Sequence, residues 1–91
     1  MAALEVELVA ADRTIWSGEA AMVVAPAADG EIGILAGHQP LLSVLRPGVV
    51  RVHGNAGEVL EARIEAGFLS VDADQVTVVV DAADVVGGSR R

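Results

Sequence analysis

The strongest constraint on this chain is period-2 alternation of apolar and polar residues, cut at short intervals by turn-forming residues. In "LEVELV" (residues 4–9), Leu4, Val6 and Leu8 fall on one side and Glu5 and Glu7 on the other, because successive strand side chains point to opposite faces. In "EVLEARIEA" (residues 58–66), Leu60, Ala62, Ile64 and Ala66 point one way. Val59, Glu61, Arg63 and Glu65 point the other way. "QVTVVV" groups Val76, Val78 and Val80. Such segments read as half-buried strands, polar toward solvent.

Turn signals separate them. Asp12-Arg13, Ser17-Gly18, Pro26 to Gly30, Pro47-Gly48, "HGNAGE" (His53 to Glu58) and "VDADQ" (Val71 to Gln75) each break the pattern. Pro47-Gly48 reads as a type II turn, in which proline presets its own φ and glycine takes the positive φ that follows. The last two read as hairpin loops. Together they predict about eight to ten short strands, one every 8–12 residues or so, the signature of an all-β sandwich or barrel. Pro40 to Leu45 is too short and too close to Pro47 for a helix. A helix starting at Ala82 would be stopped by Gly87-Gly88. The expected organisation is one domain over residues 1–84 and a flexible tail over 85–91, ending in "GGSRR".

Composition removes several function classes. The 91 residues carry a net charge of -7, and their six basic residues are all arginine. Nucleic acid binding needs a basic patch and aromatic platforms, but Trp16 and Phe68 are the only aromatic residues. Without lysine there is no P-loop, no Schiff base and no lipoyl or biotinyl attachment point. Without cysteine there is no disulfide or thiolate metal site. The N-terminus does not read as a signal peptide, and no apolar run is long enough to span a membrane. Hydrophobic residues make up 53% of the chain, more than so small a domain can hide. Part of that surface is therefore expected to be covered by a partner.

The candidate chemical sites are thin. His38, in "AGHQP", has only Glu31 near it in sequence, so a metal site lacks ligands. Its expected role is to hydrogen-bond the bent backbone. His53 falls at a hairpin end, where it is expected to be exposed and inert. Asp72, Asp74, Asp81 and Asp84 do not fit a calcium loop. Gly30, Gly33 and Gly37 have the wrong spacing for a nucleotide-binding loop, and no helix follows them. No nucleophile, base and acid form a recognisable pattern. Glu31 stands on a glycine-bounded loop between two apolar strands, and in isolation it reads as a solvated charge.

"GEIGILAGHQPLLSVLRPG" (residues 30–48) resembles the N-terminal β-sandwich domain of the epsilon subunit of bacterial F-type ATP synthase. The family pattern there is close to G-x-x-G-I-x-P-G-H-x-P-L-L-x-x-L-x-P-G, with Ala36 in place of the usual proline. That loss should soften the turn by under about 1 kcal/mol. "LEVELVAADRTIWSGEA" and "EAGFLSVDADQVTVVVDAA" extend the likeness over essentially the whole chain.

The resemblance implies a ten-stranded, two-sheet sandwich at the foot of the rotating central stalk. It implies a non-catalytic subunit without cofactor or metal, coupling proton translocation to ATP synthesis. Its implied partners are the gamma subunit, the loops of the c-ring and, indirectly, the alpha/beta head. The complex would hold it at the cytoplasmic side of the bacterial inner membrane.

Asp29, Gly30, Glu31 and Ile32 are then expected at the c-ring. His38, Leu42 and Ser43 are expected at gamma. Gly33, Gly37, Pro40, Pro47 and Gly48 are expected to set turn geometry, with Gly30 and Gly33 turning the Glu31 loop. Family members usually continue into a C-terminal two-helix hairpin. Here the sequence stops at Arg91, as a naturally short subunit or as a piece of a longer one, and hairpin-based inhibition and ATP binding are not attributed to it. The competing expectation is a stand-alone β-sandwich enzyme or ligand-binding module, with a concave pocket lined by titratable groups.

Overall fold

The computed structural model describes the backbone of residues 3–89 and the side chains of residues 3–86. Ten strands follow one another: β1 (Leu4–Ala10), β2 (Arg13–Ala20), β3 (Met22–Ala27), β4 (Gly30–Leu35), β5 (Leu41–Leu45), β6 (Gly48–His53), β7 (Val59–Ile64), β8 (Gly67–Asp72), β9 (Gln75–Val80) and β10 (Ala83–Ser89). No helix forms among the described residues.

The strands form two layers. One has the order β10-β7-β6-β3-β4, and the other β5-β8-β9-β1-β2. All neighbours are antiparallel except β1 and β9. The layers are joined at one corner. The first residues of β3 pair with β6, whereas its last residue, Ala27, pairs with Leu45 of β5. The Arg46 amide donates to the Pro26 carbonyl at 2.9 Å and closes the corner.

The alternation predicted from sequence decides what lies between the layers. Leu4, Val6 and Leu8 are buried while Glu5 and Glu7 are exposed. Val23, Ile34, Leu45, Val50, Ile64, Leu69, Val71, Val76 and Val78 complete the centre of one apolar cluster. No polar or charged residue is buried among the described residues. The core therefore avoids the cost of desolvating polar groups.

Four local expectations need correction. Ser17-Gly18 does not break the chain, since β2 runs through it. The irregularity is a bulge: Leu8 pairs with Trp16 and Val9 with Thr14, leaving Ile15 as the extra residue. Pro47-Gly48 is not a type II turn. Gly48 lacks a positive φ and is already paired with Ile64 in β6. Glycine is needed there for space, because a Cβ would lie 2.9 Å from the Cβ of Pro26. Gly33 does not turn the chain either. It sits inside β4 opposite Val24, and a Cβ there would meet nothing within 4 Å.

Finally, the chain beyond residue 84 continues as strand rather than tail. β10 pairs with β7 up to Ser89; a register shift between Val85 and Gly87 leaves Val86 as the extra residue, and Gly87 and Gly88 pair with Glu61 and Leu60. Neither a helix from Ala82 nor a tail beginning at residue 85 forms. Residues 90 and 91 lie outside the described residues.

Candidate functional site

Two regions carry the residues singled out from sequence. The first is the β3–β4 hairpin. Ala28 and Asp29 form its tip, and Gly30 follows at φ 131, a conformation glycine adopts freely. Arg46 reaches over and donates to the Ala28 carbonyl at 3.2 Å. Ile32 faces inward and packs against the core. Glu31 faces outward but is not a free charge. Its Oε2 accepts from Arg51 Nη1 at 3.2 Å, and Arg51 Nε donates to Glu61 Oε2 at 3.1 Å. These hydrogen bonds, Glu61's foremost and then Glu31's, raise the Arg51 pKa above an already high ordinary value. Asp29, Gly30 and Glu31 thus share one hairpin end, while Ile32 belongs to the interior.

The second region runs from the β4–β5 connection onto β5. Gly37 turns the chain at φ 86. His38 follows, half-buried, its Nδ1 2.8 Å from the Gln39 carbonyl oxygen and its amide 3.1 Å from the Leu35 carbonyl. The imidazole engages the bent backbone as expected. His53, in contrast, is half-buried rather than fully exposed. Pro40 lies just before β5, and Pro47 forms the bend before β6. Leu42 and Ser43 separate, because neighbouring strand residues point to opposite faces. Leu42 is 73% exposed on the outside. Ser43 pairs with buried Leu69 on the inner side, and its Oγ donates to the Val44 carbonyl at 3.3 Å.

Leu42's true companions come from other strands. Register across the second layer lines up Val44, Phe68, Val79 and Val9 in one row on the outer face. Val44, Phe68 and Val79 are exposed, and Leu42 adjoins them. The next row reads Leu42, Ser70, Thr77, Glu7 and Ser17, and the one after it Asp72, Gln75, Glu5 and Glu19. The outer face therefore grades from apolar at one side to acidic at the other. Arg13, at the start of β2, is the only arginine on these five strands.

Sequence reasoning missed Val44, Phe68 and Val79. The available signal was an apolar residue at positions that alternation assigns to solvent, as with Val79 beside Thr77 in "QVTVVV".

No three metal-ligating side chains converge among the described residues. An open depression of about 640 Å³ at one end of the sandwich is lined by Ala10, Asp12, Arg13, Asp81 and Asp84, among others.

The sequence pattern of the family described as ATP synthase, Delta/Epsilon chain, beta-sandwich domain matches residues 3–85. An ATP synthase epsilon chain from Streptomyces griseus is 45% identical over 84 residues, which cover 92% of this chain and 68% of the relative. One from Corynebacterium urealyticum is 46% identical over 84 residues, covering 91% of this chain and 68% of the relative. A chain in the cryo-EM structure of the Euglena gracilis mitochondrial ATP synthase with its c-ring superposes with a TM-score of 0.88 at 26% identity. That match covers 93% of the present chain and 54% of the other, so this chain spans about half of that neighbour's length.

Proposed function

This chain belongs to the ATP synthase delta/epsilon family of β-sandwich domains, and from that premise we propose that it links the gamma subunit to the c-ring in the rotor. It catalyses nothing itself. Its work is mechanical: it joins the turning ring to the stalk that drives the catalytic head, and so couples proton translocation to ATP synthesis. It meets the membrane through the complex, at the cytoplasmic side of the bacterial inner membrane.

The observation that carries this reading is the graded outer face of β5-β8-β9-β1-β2. Leu42, Val44, Phe68 and Val79 leave a contiguous apolar strip in water, which a stable soluble partner surface would remove. The acidic rows beside it have a cost of their own. Glu5 and Glu19 stand directly opposite each other on adjacent strands, and like charges in that arrangement repel. Arginine or lysine on the partner would offset that repulsion and orient the encounter. We assign this face, with His38 at its margin, to gamma. The apolar strip supplies burial, and the carboxylates supply register.

We assign the hairpin tip at Asp29, Gly30 and Glu31 to the c-ring loops. Glu31 is held by Arg51 in an exposed ion pair, which is inexpensive to exchange. A basic group on a ring loop can take Arg51's place while Arg51 keeps Glu61. Stiffness between the two contacts follows from the fold, whose layers share a hydrogen-bonded corner and a wholly apolar core.

The test is affinity purification of the tagged chain from membranes of its own organism, read by mass spectrometry. Gamma should co-purify, with alpha and beta behind it. A chain recovered alone, with no affinity for any stalk protein, would refute the reading.

A further inference from the structure

The β8–β9 turn and the His38 loop lie far apart in sequence but are joined by one contact. The Gly37 amide donates to Asp74 Oδ1 at 2.7 Å, across 37 positions. Asp74 also fixes the start of β1, because the Glu5 amide donates to its carbonyl at 2.8 Å. One residue thus ties three segments together.

It does so from an unfavourable conformation. Ala73 and Asp74 both have positive φ, 51 and 64, and are the only non-glycine residues among those described that do. A two-residue hairpin turn of this type selects Asn-Gly or Asp-Gly, since side chains disfavour the left-handed region. Ala73 has no hydrogen-bonding side chain to compensate. Strain of this kind persists where the surroundings over-determine it. The turn points the Asp74 carboxylate at Gly37, itself at φ 86.

We propose that Asp74 is a positioning residue for partner docking, clipping the 36–40 connection to the β8–β9 turn so that His38 and the start of β5 are presented in a fixed arrangement. This rests on the assignment of that face to gamma. Ordering the loop before the encounter reduces what must be immobilised on binding, which strengthens a complex without adding a contact to it. A carboxylate accepting from a backbone amide is among the stronger hydrogen bonds available for the purpose. The clip lies at the acidic end of the outer face, where the turn adjoins the row of Asp72, Gln75, Glu5 and Glu19. Holding the loop before β5 against that turn fixes His38 and the start of β5 relative to the carboxylates that supply register.

The test compares wild type with Asp74→Ala, Asp74→Asn and Ala73→Gly, measuring amide hydrogen exchange at Gly37 and affinity for purified gamma. Asp74→Ala should speed Gly37 exchange at least about tenfold, as loss of a charge-assisted hydrogen bond implies, and weaken gamma binding several-fold. Asp74→Asn keeps an oxygen acceptor and should recover most of both. Ala73→Gly relaxes the turn and should leave Gly37 protected. Unchanged Gly37 exchange in Asp74→Ala would overturn the clip. Faster exchange with unchanged gamma affinity would overturn its role in docking. Wild type that does not bind gamma would instead refute the functional assignment on which the proposal rests.

Discussion

Replacing Leu42 and Phe68 by serine separates a docking surface from a structural one. Leu42 is 73% exposed and Phe68 is 53% exposed in the free domain. Complete burial of a large apolar side chain is worth about 1.5–3 kcal/mol. The exposed fractions leave roughly 1.5 kcal/mol for a partner to gain at Leu42 and roughly 1 kcal/mol at Phe68. At about 1.4 kcal/mol per tenfold, each substitution should weaken gamma binding around five- to tenfold, and the pair by somewhat under a hundredfold. Free-domain stability should change little at Leu42. At Phe68 the loss should stay within about 1 kcal/mol, because much of that ring already faces water. Titration calorimetry against gamma and thermal unfolding of the free variants measure the two quantities. The reasoning is refuted if the double variant binds gamma as wild type does. It is equally refuted if its unfolding midpoint collapses, since the strip would then be a structural surface.

Other substitutions probe the fold itself. Leu69→Ala, at a fully buried site in β8, should cost about 2–5 kcal/mol, a large share of the roughly 5–15 kcal/mol a domain commands; denaturant unfolding would show it, and a near-wild-type midpoint would contradict the core assignment. Gly48→Ala drives a methyl group into Pro26 and should cost about 1–3 kcal/mol, whereas Gly33→Ala meets open space and should be neutral or slightly stabilising. Thermal melts that ranked these two the other way would contradict the close approach at Gly48. Arg51 has a folded pKa raised above its ordinary value, so its charge contribution is complete below the unfolded pKa and is lost only as pH climbs through the folded one. Wild type and Arg51→Gln should therefore keep a constant stability difference from neutral to mildly alkaline pH, and a difference that shrinks across that range would contradict the pairing.

The alternating segments made the layers legible. Glu5 and Glu7 between Leu4, Val6 and Leu8 fixed which side of β1 faces the core, and Glu61 and Arg63 did the same for β7. The glycines misled, because a sequence does not say why a glycine is required. Gly37 is there for its φ, Gly48 for the nearness of Pro26, and Gly33 for neither. Gly87-Gly88 resembled an ending, but both glycines keep their pairing with β7, just past a bulge at Val86. The exposed apolar strip was half visible. Leu42, which lies on it, was picked out through its place in a family motif, but Ser43 was grouped with it although strand geometry turns the two apart. Phe68 and Val79 join Leu42 only through cross-strand register, which depends on strand order and not on neighbouring residues in the chain.

The chain contains no cysteine, so one introduced at Phe68 would be its only thiol. The most direct measurement attaches a short photo-crosslinker there, irradiates the assembled enzyme and identifies the product by mass spectrometry. The account predicts an adduct to gamma, at an apolar segment flanked by basic residues. An adduct only to a second copy of this chain, or a crosslinker at position 68 that stays in solvent within intact complexes, would contradict it.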